Sequence, residues 1–224
     1  MKINNLTLSY GEKKIFSDFC IEFEKNTLTA ILGSSGIGKT TLLRAISGLV
    51  PYKGEISGAD RISYVFQESR LIPTMTVKEN LMYVAKDKND RNFWEKAKFL
   101  LEKYGLKGEE DSFPDELSGG MASRVGLIRA FLIDSDTILM DEPLRSLDAQ
   151  TREKLVDIIK ELLIEYPRTV LLVTHEPKES ISLADRIIVL GDSPVTVTKD
   201  IRVEKNLTDI QKLELERALL SAIV

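Results

Sequence analysis

One octet restricts the fold of this chain more than any other feature: Gly33-Ser34-Ser35-Gly36-Ile37-Gly38-Lys39-Thr40. It fits the pattern G-x-x-x-x-G-K-[ST]. It stands between a continuous apolar run, Thr27 to Leu32, and a helical segment from Thr40 to Ser47 that Gly48 and Pro51 close. Average residue frequencies produce such an octet in roughly one chain of this length in a hundred, and the strand, loop and helix context makes it rarer. The chemistry explains the residues. Glycines let backbone N–H groups curl around phosphate oxygens, and a helix N-terminus adds a favourable dipole. Lys39 is expected to reach the β- and γ-phosphates of a nucleotide, and the Thr40 hydroxyl to ligate Mg²⁺. The octet alone leaves GTPases, kinases and helicases all open.

The remaining pattern builds an α/β protein around that loop. Leu6 and Leu8, then Phe19, Ile21 and Phe23, alternate with polar residues and predict an antiparallel opening sheet. Short strands are expected around Gly54–Ile56 and Ile62–Phe66. From Thr76 to about Ile133 the period becomes helical, with Phe93, Ala97, Leu100, Leu101 and Tyr104 on one face and Met121, Val125, Ile128 and Leu132 on another. Strands return at Thr137–Asp141, Thr169–Thr174 and Arg186–Leu190. A helix through Leu155, Ile158, Ile159, Leu162 and Tyr166, capped by Asp148, lies between the first two. An amphipathic helix from Thr208 to about Ala222 ends the chain. Strands alternating with helices imply a mostly parallel sheet.

With 224 residues and 43% apolar content the chain can bury a full core. Its formal charge of −4 gives no general electrostatic reason to bind nucleic acid. Cys20 is the one cysteine and reads as a small, half-buried strand residue. No apolar stretch approaches the ~18 residues that span a bilayer, and the first residues lack a signal-peptide core, so a cytosolic location is expected.

Two further segments carry chemistry. Leu117-Ser118-Gly119-Gly120-Met121 precedes the helix of Val125 and Ile128. There Ser118 can cap the helix while the Gly119 and Gly120 N–H groups make a second anion site. Ile138-Leu139-Met140-Asp141-Glu142 sets two carboxylates at the end of a buried strand, a poor place for acids unless a cation faces them.

Leu117 to Met121 resembles the ABC signature sequence, and from Tyr10 to about Leu190 the surrounding motifs follow the order of that family. The resemblance implies a P-loop NTPase core with a mostly parallel sheet, an N-terminal antiparallel β subdomain and an inserted helical subdomain. The chain is then one ABC ATPase domain, with its α/β core at about 1–70 and 135–224 and its helical subdomain at about 71–134.

The ATP-binding residues that the resemblance implies are Tyr10, stacked on adenine, then Gly33, Ser34, Ser35, Gly36, Ile37, Gly38, Lys39, Thr40 and Thr41. Mg²⁺ falls to Thr40, Asp141 and Gln67, the last at the Q-loop position. Glu142 resembles the glutamate that polarises the attacking water, and His175, the sole histidine, resembles the switch histidine at the γ-phosphate.

Ser118, Gly119 and Gly120 would reach the ATP of a partner subunit, as would Asp148 in the D-loop-like Ser146-Leu147-Asp148. The working unit is then a dimer around two ATP molecules. Met121 stands where glutamine is commoner, as in the nitrate, sulfonate and taurine importer group. Phe66 to Pro73 and Thr76 to Leu81 resemble the coupling region of importer ATPases. An importer ATPase implies separate transmembrane permease subunits, an external substrate-binding protein and a peripheral position on the inner membrane face. The alternative is a soluble ABC-class ATPase acting on DNA or ribosomes. Those usually carry a coiled-coil insertion, zinc-binding cysteines or a second ATPase domain, none of which is visible here.

Overall fold

In the computed structural model, which describes residues 1–145 and 147–223, two sheets and the helices around them enclose two hydrophobic cores. The smaller is antiparallel with strand order β2-β1-β4, built from β1 (Lys2–Tyr10), β2 (Lys13–Glu22) and β4 (Lys53–Ser57). The larger runs β5-β6-β7-β3-β8-β9, with β3 (Leu28–Leu32), β5 (Ile62–Val65), β6 (Thr137–Asp141), β7 (Thr169–Val173), β8 (Arg186–Gly191) and β9 (Thr196–Arg202). Its first five strands are parallel, and β9 closes the edge antiparallel to β8.

The central strands read as continuous apolar runs because both their faces are covered. Side chains alternate across a strand, so each run divides between two cores. Leu28, Ala30 and Leu32 of β3, with Ile138 and Met140 of β6, face one core. Ile31, Leu139, Leu171 and Val173 face the other. The first core is filled by α2 (Val77–Met82), α3 (Arg91–Lys103), α4 (Gly119–Leu132) and α5 (Ala149–Glu165); the second by α1 (Lys39–Ile46) and the antiparallel sheet. Helix α4 is central, burying Val125, Gly126, Leu127, Ile128, Ala130, Phe131 and Leu132, which is more than one face of a helix can offer.

Three features differ from sequence expectation. Strand β9 and the short helix α6 (Pro177–Leu183) carry too little periodicity to be anticipated; burial across β9 is weak because it is an edge. Cys20 is exposed rather than half-buried, its Sγ donating to Asn5 Oδ1 at 3.2 Å, because it lies on the outward face of β2, opposite to that of Phe19 and Ile21. The last helix, α7 (Asp209–Ile223), buries Leu219 fully but leaves Ile210, Leu213 and Leu220 exposed, so its apolar residues do not form one covered stripe.

The segment after β5 is fixed by two polar side chains. Arg129 of α4 donates to the carbonyls of Ser69 and Arg70, both at 3.0 Å. Fully buried Asn80 of α2 accepts from Ile72 N–H at 2.7 Å, and its Nδ2 reaches the carbonyls of Ile72, Met75 and Thr76. An alanine at position 80 strands those backbone groups away from water. Asn80→Ala is therefore expected to destabilise the fold by about 3 kcal/mol, read as a lower midpoint in urea denaturation.

Candidate functional site

The five parallel strands end at one edge of the sheet, and the glycine-rich loop, Gln67, Asp141 with Glu142, and His175 follow the ends of β3, β5, β6 and β7 there, as open α/β sheets arrange their ligand sites. β3 runs into the glycine-rich loop. The loop cannot carry side chains at its ends: a Cβ on Gly33 would lie 2.7 Å from the Leu190 carbonyl oxygen, and Gly38, at φ 126°, would place one 2.8 Å from Ile15 Cγ2. Helix α1 starts at Lys39 with no side-chain cap, leaving its first N–H groups to the loop.

Lys39 is 6% exposed, and its ammonium donates to the carbonyls of Gly33 at 2.7 Å and Ser34 at 3.0 Å. Burial pushes its pKa below the usual lysine value, and the charges of Glu142 and Asp141 oppose that shift.

Asp141 closes β6. Its Oδ1 accepts from Thr40 Oγ1 at 2.9 Å and its Oδ2 from the Tyr64 hydroxyl at 3.2 Å. Burial, with the Asp141 charge beside it, raises the Tyr64 phenol far above its ordinary range and keeps it a neutral donor. Glu142 sits at φ 47°, a left-handed conformation that costs a non-glycine residue about 1–3 kcal/mol and that concentrates at functional sites. Its N–H is held by the Val173 carbonyl of β7 at 2.9 Å, and its side chain is 14% exposed. Glu142 Oε2 lies 2.9 Å from Arg145 Nη1 and 3.3 Å from His175 Nδ1.

These groups converge on a cleft of about 410 Å³ lined by Tyr10, Ser35, Gly36, Gly38, Lys39, Thr40, Thr41, Gln67 and Glu142. Lys13, Ile15 and Arg145 complete its wall. Exposed Gln67 also borders an adjoining cleft with Thr40, Asp141 and Tyr64. Ser34, Gly33 and Ile37 belong to the loop itself, where Ile37 N–H donates to the Ser34 carbonyl at 3.3 Å.

Asp141 and His175 do not line that cleft themselves but contact Thr40 and Glu142, which do; Ser118, Gly119, Gly120 and Asp148 do not line it either. Ser118 caps α4, its Oγ accepting from Met121 N–H at 3.3 Å, and Asp148 caps α5, its Oδ1 accepting from Thr151 N–H at 3.0 Å. Gly119 is exposed, and Gly120 packs so closely on α5 that an added Cβ would lie 2.6 Å from Thr151 Cγ2. The two helix ends therefore adjoin. Ser146 lies outside the described residues.

Sequence reasoning missed Arg145, Tyr64 and Lys13. A cation three residues after Glu142 in a tight turn was a usable signal for Arg145. Tyr64 and Lys13 carried none, since strand pairing alone brings them in.

Chemically, the arrangement offers a cationic, N–H-rich cradle for a polyphosphate and a shielded carboxylate beside an imidazole. Among the described residues no three His, Cys, Asp or Glu side chains gather as a metal cage. One hydroxyl paired with one carboxylate, Thr40 with Asp141, suits a hard cation that takes its other oxygens from phosphates and water.

Fold and cleft together define a P-loop nucleotide-binding ATPase domain. Residues 16–145 match the ABC transporter family, and the chain belongs to it. It is 38% identical over 92% of its length to an aliphatic sulfonates import ATP-binding protein of Mesorhizobium japonicum, the match spanning 83% of that protein. Two proteins of the same description match similarly. That of Rhodococcus jostii is 39% identical over 87% of this chain and 79% of its own length; that of Paraburkholderia xenovorans is 41% identical over 88% and 79%. A solved structure titled as an inward-facing, metal-chelate type ABC transporter shares the fold with a TM-score of 0.78, at 22% identity over 96% of this chain and 87% of that one.

Removing the Lys39 ammonium strips the loop of its buried cation and leaves the Gly33 and Ser34 carbonyls without their donor. Lys39→Ala is expected to weaken ATP binding by at least about tenfold, a loss of about 1.4 kcal/mol or more, in a fluorescent-nucleotide titration.

Proposed function

We propose that this chain is the ATP-binding and ATP-hydrolysing subunit of an ABC importer, coupled to separate transmembrane permease subunits. The observation that carries the reading is the junction of Lys39, Thr40, Asp141, Glu142 and His175 at the carboxyl edge of the parallel sheet. Its resemblance to sulfonate import ATP-binding proteins at up to 41% identity supports import over action on DNA or ribosomes.

ATP lies with its adenine against Tyr10 and its phosphates wrapped by residues 33–41. Lys39 turns from its own loop carbonyls to the β- and γ-phosphate oxygens, which accept more strongly because they are charged. Thr40 and Asp141, with Gln67 from the adjoining loop, would hold Mg²⁺, whose charge would offset that of the phosphates. Glu142 orients and polarises the attacking water. His175, with Nδ1 3.3 Å from the Glu142 carboxylate and Nε2 3.6 Å from that of Glu176, serves as the γ-phosphate contact.

Ser118, Gly119, Gly120 and Asp148 sit away from this cleft and serve the ATP of a second subunit, so two copies close around two nucleotides. No helix among the described residues is long and apolar enough to cross a membrane. The chain works at the inner membrane face, where the residues 66–81 region meets the permease, and an external binding protein delivers cargo to the permease from the opposite side.

Glu142→Gln preserves the hydrogen-bonding shape but removes the base. It is expected to bind ATP, to hydrolyse it at least about 100-fold more slowly and to elute as a dimer with ATP in size-exclusion chromatography. Normal turnover removes Glu142 from its role. Capture of the tagged chain from native membranes in mild detergent is expected to recover a polytopic subunit; recovery of ribosomal or DNA-repair proteins alone returns the soluble alternative.

A further inference from the structure

Asp141 is gripped from two elements at once. Thr40 of α1 donates to one carboxylate oxygen and Tyr64 of β5 to the other. Strand pairing brings the tyrosine there: Tyr64 stands opposite Leu139 in the parallel β5–β6 register, so it shares a face with Leu139 and with Asp141 two residues on.

The tyrosine is itself held from the loop side. Its ring stacks on Phe66 with centroids 4.1 Å apart and planes at 19°, and the Arg70 guanidinium lies 4.2 Å from the centroid of the Phe66 ring. Arg70 sits at φ 43°, with its carbonyl bound by Arg129 of α4 at 3.0 Å. A continuous line of contacts thus runs from the carboxylate to the helix of the signature segment. Gln67 lies within the stretch of chain that this line spans.

We propose that Tyr64 is a positioning residue for Asp141: its hydroxyl holds the carboxylate in the rotamer that serves Thr40 and the cation site, and its stack on Phe66 ties that rotamer to the loop carrying Gln67. The inference rests on the reading of Asp141 as the metal-side carboxylate. The terminal torsion of an aspartate is broad, so one hydroxyl contact leaves the group free to swing, and a second fixes it. Outer partners of this kind are worth about 10- to 100-fold in metal affinity. A displacement of the 66–70 loop moves the Phe66 ring, then Tyr64, and so changes how well Asp141 presents itself to the cation.

The test is the affinity of the full chain for adenylyl imidodiphosphate, measured by calorimetry with and without Mg²⁺, the ratio of the two reporting the metal contribution without turnover. Tyr64→Phe keeps the ring and the stack and loses only the hydroxyl, and thermal melting confirms that it folds. The ratio is expected to fall about tenfold in Tyr64→Phe, about threefold in Phe66→Leu and most of all in Asp141→Asn. A wild-type ratio in Tyr64→Phe beside a collapsed one in Asp141→Asn overturns the positioning role and leaves the site standing. A wild-type ratio in Asp141→Asn overturns the reading of Asp141 and the inference with it. A wild-type ratio in Phe66→Leu alone removes the ring stack from the proposal.

Discussion

Everything at this site depends on five parallel strands being buried on both faces. A strand covered on one side only must spend every second residue on solvent; β3, β6 and β7 do not, and each divides its apolar residues between two cores. Parallel pairing aligns their carboxyl ends, so residues more than 100 positions apart in the chain, such as Thr40 and Asp141, meet within hydrogen-bond distance. The sheet is rigid because its strands are packed, and it is the packing that holds Lys39, Asp141 and Glu142 in mutual register.

That rigidity sustains an arrangement the local chemistry would otherwise relax. A lysine buried to 6% exposure is costly on its own, and two carboxylates at the end of an apolar strand are equally so. Placed together they compensate: Glu142 and Asp141 both oppose the loss of charge that burial imposes on Lys39. The left-handed backbone of Glu142 is a second cost, and the bond from its N–H to the Val173 carbonyl of the neighbouring strand keeps it in place. Strain and charge are both concentrated where a phosphate chain would be held.

Much of this was legible in the sequence, for identifiable reasons. The glycine-rich loop is local, so its residues and their spacing are contiguous, and the buried strands announce themselves as uninterrupted apolar runs. Ser118 and Asp148 were readable as caps because capping is a rule about residues three apart, and both caps form. What stayed hidden is what the sheet assembles across the chain. Tyr64 looks like any strand tyrosine until register sets it beside β6. Strand β9, with its thin edge burial, lacks the pattern that announced the interior strands.

The same distinction separates the two halves of the molecule's work. The phosphate-loop motif is written locally, whereas the restraint of the segment after β5 is written in long-range contacts. Arg129 and Asn80 pin the segment from Ser69 to Thr76 to helices α4 and α2, while Tyr64 and Phe66 pin its root to Asp141. The segment is thus restrained at both ends, to the helices and to the acidic strand end. Packed elements shift between discrete arrangements more readily than they deform, so a push on α2 and α4 arrives at the acidic strand end as a change in geometry. Linkage then requires the reverse: a nucleotide state that prefers one Asp141 geometry must bias the position of those helices by the same free energy.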